Sequence, residues 1–223
     1  QTEPLTCTNE ILCLNHPVVI PHLKKGQELL LDDSTLVLRV VEEGPRSVRC
    51  EVISGGKTTS KQGIFFPHTH IPLPNLTELD KSVARVAEQE GVDYLAISFV
   101  KTGSDIDELR QLCGNKVKIA AKIECEEVFK NLGAVIEKSD ALIIDRGDLG
   151  SELPVEKVPL LQKIVIQKAS AAGKPVFLAS HVLSKMCDKA KPTRAEVNDV
   201  MHALIDGASG FVLAEETAVG KYP

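Results

Sequence analysis

"ALIIDRGDLGSELPVEKVPLLQKIVIQKASAAGKPVFLAS", residues 141–180, decides the fold. It opens on "ALIID" (141–145), an apolar run of strand length. Pro154 then opens a long helical stretch whose Val158, Leu161, Ile164, Val165 and Lys168 share one stripe. Gly173 ends that helix, and "PVFLAS" (175–180) reads as a second strand. Two apolar strands joined through an amphipathic helix lie parallel, with helices covering the sheet.

The exit from the first strand is unusual. Asp145, Arg146, Gly147, Asp148 and Gly150 crowd into six positions, more than a plain surface turn needs. Gly147 and Gly150 allow close approach of the backbone to a ligand. A turn after Arg146 is expected to present free N–H groups to a carboxylate or phosphate. Asp148 is a candidate metal ligand.

The alternation continues on both sides. Upstream, Thr77 and Asp80 form a capping box for a helix with Leu79, Val83, Val86 and Ala87 on one stripe, ended by Gly91. "DYLAISFV" (93–100) is a strand, a helix follows Ser104 and closes near Gly114, "KVKIAAKIE" (116–124) is a strand, and Cys125–Leu132 reads as helical. Downstream, Thr193 and Glu196 cap a helix with Val197, Val200, Met201 and Leu204 facing inward, and "GFVLA" (210–214) is the last strand. Five strands, each preceded by a helix, fit part of a (β/α)₈ barrel. No G-x-G-x-x-G follows any strand, so no dinucleotide fingerprint is present.

Residues 1–70 differ in style. "QELLLDD", "STLVLRVVEE" and "SVRCEVI" are short Val- and Leu-rich runs between acidic or Gly-Pro breaks, as expected of antiparallel β structure. Gly55 and Gly56 predict a hairpin turn. Pro67, Pro72 and Pro74 form a stiff connector. The expected organisation is a small β domain over 1–70 and an α/β barrel portion over 71–223.

Composition narrows the function classes. The chain has 223 residues, 43% of them apolar, and a net charge of −5. No large basic field for nucleic acid or an anionic membrane is expected. Tryptophan is absent and aromatics are 4%, which disfavours a base-stacking surface. No apolar run is long enough to span a membrane. The first ten residues lack the charged head and apolar region of a signal peptide. A start at Gln1 is expected of a processed chain, an engineered boundary or a fragment. Six cysteines without a CxxC pair read as reduced thiols in an intracellular compartment.

In barrel proteins chemistry sits at the C-terminal ends of the strands. Those ends carry Ser98, Lys122 with Glu124, Asp148, Ser180 and Glu216. Side chains alternate along a strand, so Val117, Ile119, Ala121 and Ile123 face the helices, while Lys118, Ala120, Lys122 and Glu124 face the barrel mouth. Adjacent strands lie about 4.8 Å apart, so Asp148 is expected to reach the same ion as Glu124. Two carboxylates with free water positions suit Mg²⁺ bound with a substrate oxygen. A lysine beside them can stabilise an oxyanion or serve a proton transfer. Plainer readings compete. Lys122 and Glu124 could form a structural ion pair, and Arg146–Asp148 could be an adhesion tripeptide. His68 and His70 lack a third ligand and read as surface residues, and "EEVFK" (126–130) reads as a solvated helix face.

The motifs resemble the pyruvate kinase family. "AKIECEEVF" is similar to its lysine-isoleucine-glutamate strand. "RGDLGSELPVEKVPLLQKIVIQKASAAGKPV" and "KPTRAEVNDVMHALIDGASGFVLAEETAVGKYP" continue the likeness strongly over 85–223. "LLLDDSTLVLRVVEE" resembles the second half of that family's inserted β domain. The resemblance implies a partial TIM (β/α)₈ barrel, its last five strands, with part of an inserted small β-barrel domain. It implies glycolytic phosphoryl transfer between phosphoenolpyruvate and ADP, giving pyruvate and ATP, with Mg²⁺ or Mn²⁺ and K⁺. Carried over by motif, Lys122 stabilises the enolate and the transferring phosphoryl group, and Glu124 and Asp148 hold the divalent ion. Backbone N–H groups around Arg146, Gly147 and Asp148 hold the substrate carboxylate, and Ser180 stands where the family has a threonine tied to proton delivery. A cytoplasmic or plastid-stromal homo-oligomer is further implied, without nucleic acid or membrane.

The departures are specific. Asp145 stands where the family has alanine. "ASH" (179–181) replaces alanine-threonine-glutamine, and "LAEET" (213–217) brings Ala214 and Glu215 in place of serine and glycine. No equivalent of the family's "ARLNFSH" or "DTKGPEIR" occurs, so the phosphoryl-binding arginine and the K⁺ ligands are not in this chain. Two outcomes follow. One is part of a working pyruvate kinase with low activity on its own, the other a non-catalytic relative with a binding or assembly role. A metal-dependent aldolase acting on pyruvate is a third, more distant alternative.

Overall fold

The computed structural model describes residues 11–31, 36–56, 62–67, 71 and 73–223. His68, His70, Pro72 and Cys7 lie outside the described residues. The chain divides into two compact units, Gln1–Leu73 and Pro74–Pro223.

The first unit holds β1 (Glu28–Leu31), β2 (Leu36–Glu42), β3 (Arg49–Ser54) and β4 (Ile64–Phe65). They form an antiparallel sheet in the order β3-β2-β1-β4. Alternation sorts the faces: Leu29, Leu31, Leu36, Leu38 and Val40 are buried with Leu23, and Val48, Cys50, Ile64 and Phe66 pack on them. Among the described residues, β3 and β4 on either side of Gly55–Gly56 do not pair as the expected hairpin. The strand before it, β3, bonds to β2, and the strand after it, β4, bonds to β1.

The second unit runs α1 (Glu78–Gln89), β5 (Tyr94–Ile97), α2 (Gly103–Cys113), β6 (Lys118–Ile123), α3 (Leu132–Lys138), β7 (Ala141–Asp145), α4 (Arg146–Glu152), α5 (Val158–Ala171), β8 (Val176–Ala179), α6 (Arg194–Asp206), β9 (Gly210–Val212) and α7 (Glu215–Ala218). The five strands pair in sequence order, all parallel. Such an order, with a helix in every crossover, is the pattern of a barrel wall. Val117, Ile119, Ala121 and Ile123 of the β6 segment are buried among Leu142, Ile144, Val165, Ile166 and Leu178, as alternation required. Asp140 ties the sheet to its helices. It accepts from the Ile119 N–H at 2.8 Å and pairs with Arg110 at 2.5 Å, and Arg110 also donates to the Val117 carbonyl at 2.7 Å.

Capping boxes at Thr77–Asp80 and Thr193–Glu196 start α1 and α6 as expected. Gly173 follows α5 at φ +68° and Gly207 follows α6 at φ +106°, left-handed positions that only glycine takes without cost. Cys50, Cys113, Cys125 and Cys187 are free thiols.

Four helical expectations need correction. Leu79, Val83 and Val86 are half or more exposed, and α1 buries Ala84 and Ala87 instead. In α6, Val197, Met201 and Leu204 are exposed and Ala203 is buried. These helices flank β5 and β9, the sheet edges, so among the described residues each has packing on one side only. The segment read as one helix over Cys125–Leu132 is a short 3₁₀ turn, Glu126–Lys130, followed by α3. Its Val128 is fully buried, so "EEVFK" is not wholly a solvated face. The long helix expected from Pro154 starts at Val158 after a 3₁₀ turn, and buries Val158, Gln162, Val165, Ile166 and Ala169.

Candidate active site at the C-terminal rim

The strand register builds the site. Lys122 lies opposite Ile143, and Ile123 opposite Ile144. The next residues, Glu124 and Asp145, are therefore level on neighbouring strands. Asp145 lies opposite Ala179 of β8, which places Ser180 one step beyond. Paired residues of a parallel sheet face the same way, so Lys122, Glu124 and Asp145 all point to the mouth.

Glu124 is 1% exposed. Its Oε2 accepts the Phe99 N–H at 2.6 Å, and its Oε1 is in direct contact with the Lys122 ammonium. Lys122 also reaches Asp145 Oδ2 at 3.3 Å. The Ser180 hydroxyl donates to Asp145 Oδ1 at 2.6 Å. One ligand oxygen each from Glu124, Asp145 and Asp148 lie within 4.8 Å of one another. The sequence thus brought Lys122, Glu124, Asp148 and Ser180 to one place, and the structure adds Asp145 as their common neighbour. The signal for it was available: counting back from Asp145 in steps of two gives Ile143 and Ala141, the mouth-facing set of β7.

The charges bear on one another. Burial alone would depress the Lys122 ammonium, but its bonds and charge contacts with Glu124, then Asp145, outweigh this and hold it above the usual lysine value. Asp148 keeps contact with solvent. Protein nevertheless crowds its carboxyl, and this desolvation, with the charges of Asp145 and Glu124, pushes it up to about 6 against the pull of Lys122.

The turn expected after Arg146 is a helix. Arg146 is the first residue of α4, and Gly147 and Gly150 lie within it, neither at positive φ. The first turn of a helix leaves its N–H groups without intrahelical partners, and Asp145 does not cap them. A Cβ at Gly147 would meet Ser180 Cβ at 3.4 Å and Asp145 Oδ1 at 3.6 Å, ordinary contacts, and at Gly150 nothing within 4 Å. The glycines are therefore not required by crowding within the protein.

Each nitrogen of the Arg146 guanidinium donates a hydrogen bond within the protein itself. The acceptors are the Ser180 carbonyl at 3.1 Å, the His181 carbonyl at 2.9 Å and Asp199 at 2.6 Å. Ser180 and His181 are both left-handed, at φ 65° and 54°, and Phe99 is the third non-glycine residue there among those described, at φ 51°. Arg146 thus clamps two adjacent strained residues of the rim. Arg146→Met is expected to cost about 2–3 kcal/mol, since hydrogen bonds to charged groups are the stronger kind. It should speed amide exchange at 180–183 and leave β6 and β7 unchanged. Unchanged exchange at 180–183 would refute the clamp.

Two buried carboxylates, Glu216 and Asp105, hold backbone N–H groups near the rim. Glu216, 6% exposed, accepts the N–H groups of Leu183 at 3.2 Å and Ala214 at 3.0 Å, tying the loops after β8 and β9 together. Asp105, 3% exposed, accepts from the Lys101 and Thr102 N–H groups at 2.8 and 2.9 Å and so fixes the start of α2.

A run of five parallel strands with helical crossovers, polar at its C-terminal rim, defines a barrel α/β protein. The pyruvate kinase barrel-domain model matches residues 1–223, the whole chain. Pyruvate kinase 2 of Synechocystis is 40% identical over 227 residues, covering 100% of this chain and 38% of its own length. Pyruvate kinase of Geobacillus stearothermophilus is 38% identical over 97% of this chain and 38% of its own length. That of Methylorubrum extorquens is 36% identical over 100% of this chain and 46% of its own. The chain belongs to the pyruvate kinase family, and its antiparallel sheet fits that family's small β domain. It spans less than half the length of these relatives. No helix among the described residues is long and apolar enough to cross a membrane.

Proposed function

We propose that this chain carries the metal- and enolate-facing part of a pyruvate kinase-type phosphotransferase site, acting between phosphoenolpyruvate and ADP. One observation carries the reading: Lys122 lies on the mouth face beside Glu124, with Asp148 close enough to share an ion. Three carboxylate oxygens within 4.8 Å form a hard donor set suited to Mg²⁺ or Mn²⁺. Glu124 and Asp148 would hold that ion, which when bound supplies charge stabilisation for phosphoryl transfer. Lys122 stabilises negative charge developing on the enolate oxygen. The N–H groups at the start of α4 face the substrate carboxylate, and Ser180 stands near the proton to be delivered. K⁺, the nucleotide and the phosphoryl-binding arginine belong to segments without a counterpart here, so full turnover is expected only with those segments supplied. A homo-oligomer in the cytoplasm or plastid stroma is the setting this reading proposes.

A second reading, a non-catalytic relative, is favoured by one contact. The Ser180 proton is directed at Asp145 and not at the open mouth. Exchange of pyruvate methyl protons with deuterated solvent separates the two, because it tests the enolate half without nucleotide. Mg²⁺-dependent exchange that Lys122→Met abolishes is the expected result. Exchange no faster than with Mg²⁺ in buffer would leave the non-catalytic reading. A coupled assay of this chain should show turnover below the usual kinase range of about 1–100 s⁻¹.

A further inference from the structure

We propose that Asp145 sets the specificity of this site, turning the rim from one that receives an anion into one that receives a divalent cation first. This rests on the reading that Glu124 and Asp148 hold the ion. An incoming carboxylate or phosphate needs positive charge and hydroxyl donors. Here the Lys122 ammonium is shared between Glu124 and Asp145, and the Ser180 hydroxyl is given to Asp145 at 2.6 Å. The protein's own carboxylate therefore competes for two of the donors that an anionic ligand would use, and leaves it the N–H groups at the start of α4. Asp145 is 9% exposed, so solvent screens its charge poorly.

The same residue changes what the cation meets. With Glu124 and Asp148 alone, an ion would have two protein carboxylates, and a substrate oxygen would complete its shell. Asp145 brings a third carboxylate within 4.8 Å of both. Cation affinity rises with the number of charged ligands in a site. The ion is then held without an anionic co-ligand, and three carboxylates against one ammonium oppose the arrival of a further anion. Both consequences follow from one side chain and have opposite signs, which a purely structural role would not produce.

Asp145→Asn keeps the shape of the residue and an acceptor for Ser180 while removing the charge. Mn²⁺ binding is read by electron spin resonance, and oxalate binding by calorimetry at saturating Mg²⁺. We expect Asp145→Asn to weaken Mn²⁺ about tenfold and to tighten oxalate about tenfold, steps of about 1.4 kcal/mol in opposite directions. Shifts of the same sign, or no shift in either, would overturn the proposal. Glu124→Gln tests the underlying reading separately and should remove Mn²⁺ binding. If Mn²⁺ is bound equally well without Glu124, the ion site itself is wrong and the proposal falls with it. The far-ultraviolet spectrum and urea midpoint of each variant show whether the fold is intact. If Asp145→Asn is unfolded, Asp145→Glu serves as the second variant. It keeps the charge and should retain tight Mn²⁺ and weak oxalate binding, and an oxalate gain or Mn²⁺ loss there would count against the proposal.

Discussion

Lys122→Met is expected to destabilise the barrel unit by about 3–5 kcal/mol, the cost of breaking a buried ion pair from one side. Glu124 is almost wholly buried, and its Oε1 is met by Lys122. Asp145 Oδ2 meets the same ammonium. Methionine replaces the lysine stem nearly atom for atom, so little packing is lost. What remains is two carboxylates side by side with no cation. A urea unfolding curve at neutral pH measures the loss. The double change Lys122→Met with Glu124→Gln should recover a large part of it, because residues in direct contact do not act additively. A loss under about 1 kcal/mol would mean that water already screens the pair, as in surface ion pairs.

Asp148 is expected to make ion binding and stability depend on pH in opposite senses. Its carboxyl is pushed up to about 6 from an ordinary 3.8, first by desolvation from the protein crowding it and then by the charges of Asp145 and Glu124. Between those two values the folded chain holds more protons than the unfolded one. Stability of the ion-free protein therefore rises as pH falls through about 6 towards 3.8, and ionised Asp148 opposes folding at neutral pH. Asp148→Asn should raise the thermal midpoint in the presence of chelator at neutral pH, with the gain vanishing at the acid end of that window. An ion must displace the Asp148 proton, so Mn²⁺ affinity of the wild type should strengthen as pH rises through about 6 and flatten above it. Thermal melts and Mn²⁺ titrations across that window check both. A midpoint shift independent of pH would show that solvent around Asp148 cancels the crowding.

Much of this was legible from strand parity. "KVKIAAKIE" alternates so cleanly that Lys122 and Glu124 could be set on the mouth face from the sequence, and the burial of Ile119, Ala121 and Ile123 agrees. Asp148 was expected to reach the same ion as Glu124, and their oxygens lie within 4.8 Å of each other; what one strand's pattern did not show is that Asp145 stands level with Glu124. Register depends on how two strands slide past each other, which one strand's pattern does not contain. The α1 and α6 stripes misled for a different reason. Periodicity tells which residues share a helix face, and Leu79, Val83 and Val86 do share one, but what covers a face is decided by neighbours. The sequence marks Arg146 as important but does not show that each of its guanidinium nitrogens bonds within the protein itself. Its partners are carbonyls 34 and 35 residues away and a carboxylate 53 residues away, contacts that only the folded chain creates.

Phe99, Ser180 and His181 bring a consequence for protein engineering. A left-handed non-glycine residue costs about 1–3 kcal/mol, and all three sit at the rim. A designer seeking heat resistance would substitute glycine there first. At Ser180 that removes the hydroxyl bonded to Asp145, and at Phe99 it loosens the N–H aimed at Glu124. Only His181 offers relief without touching the carboxylates directly, and glycine there would slacken one of the two carbonyls that Arg146 holds. Robustness and precision in this barrel are therefore traded at the same three positions, and ruggedness has to be sought in the strands and helices below them.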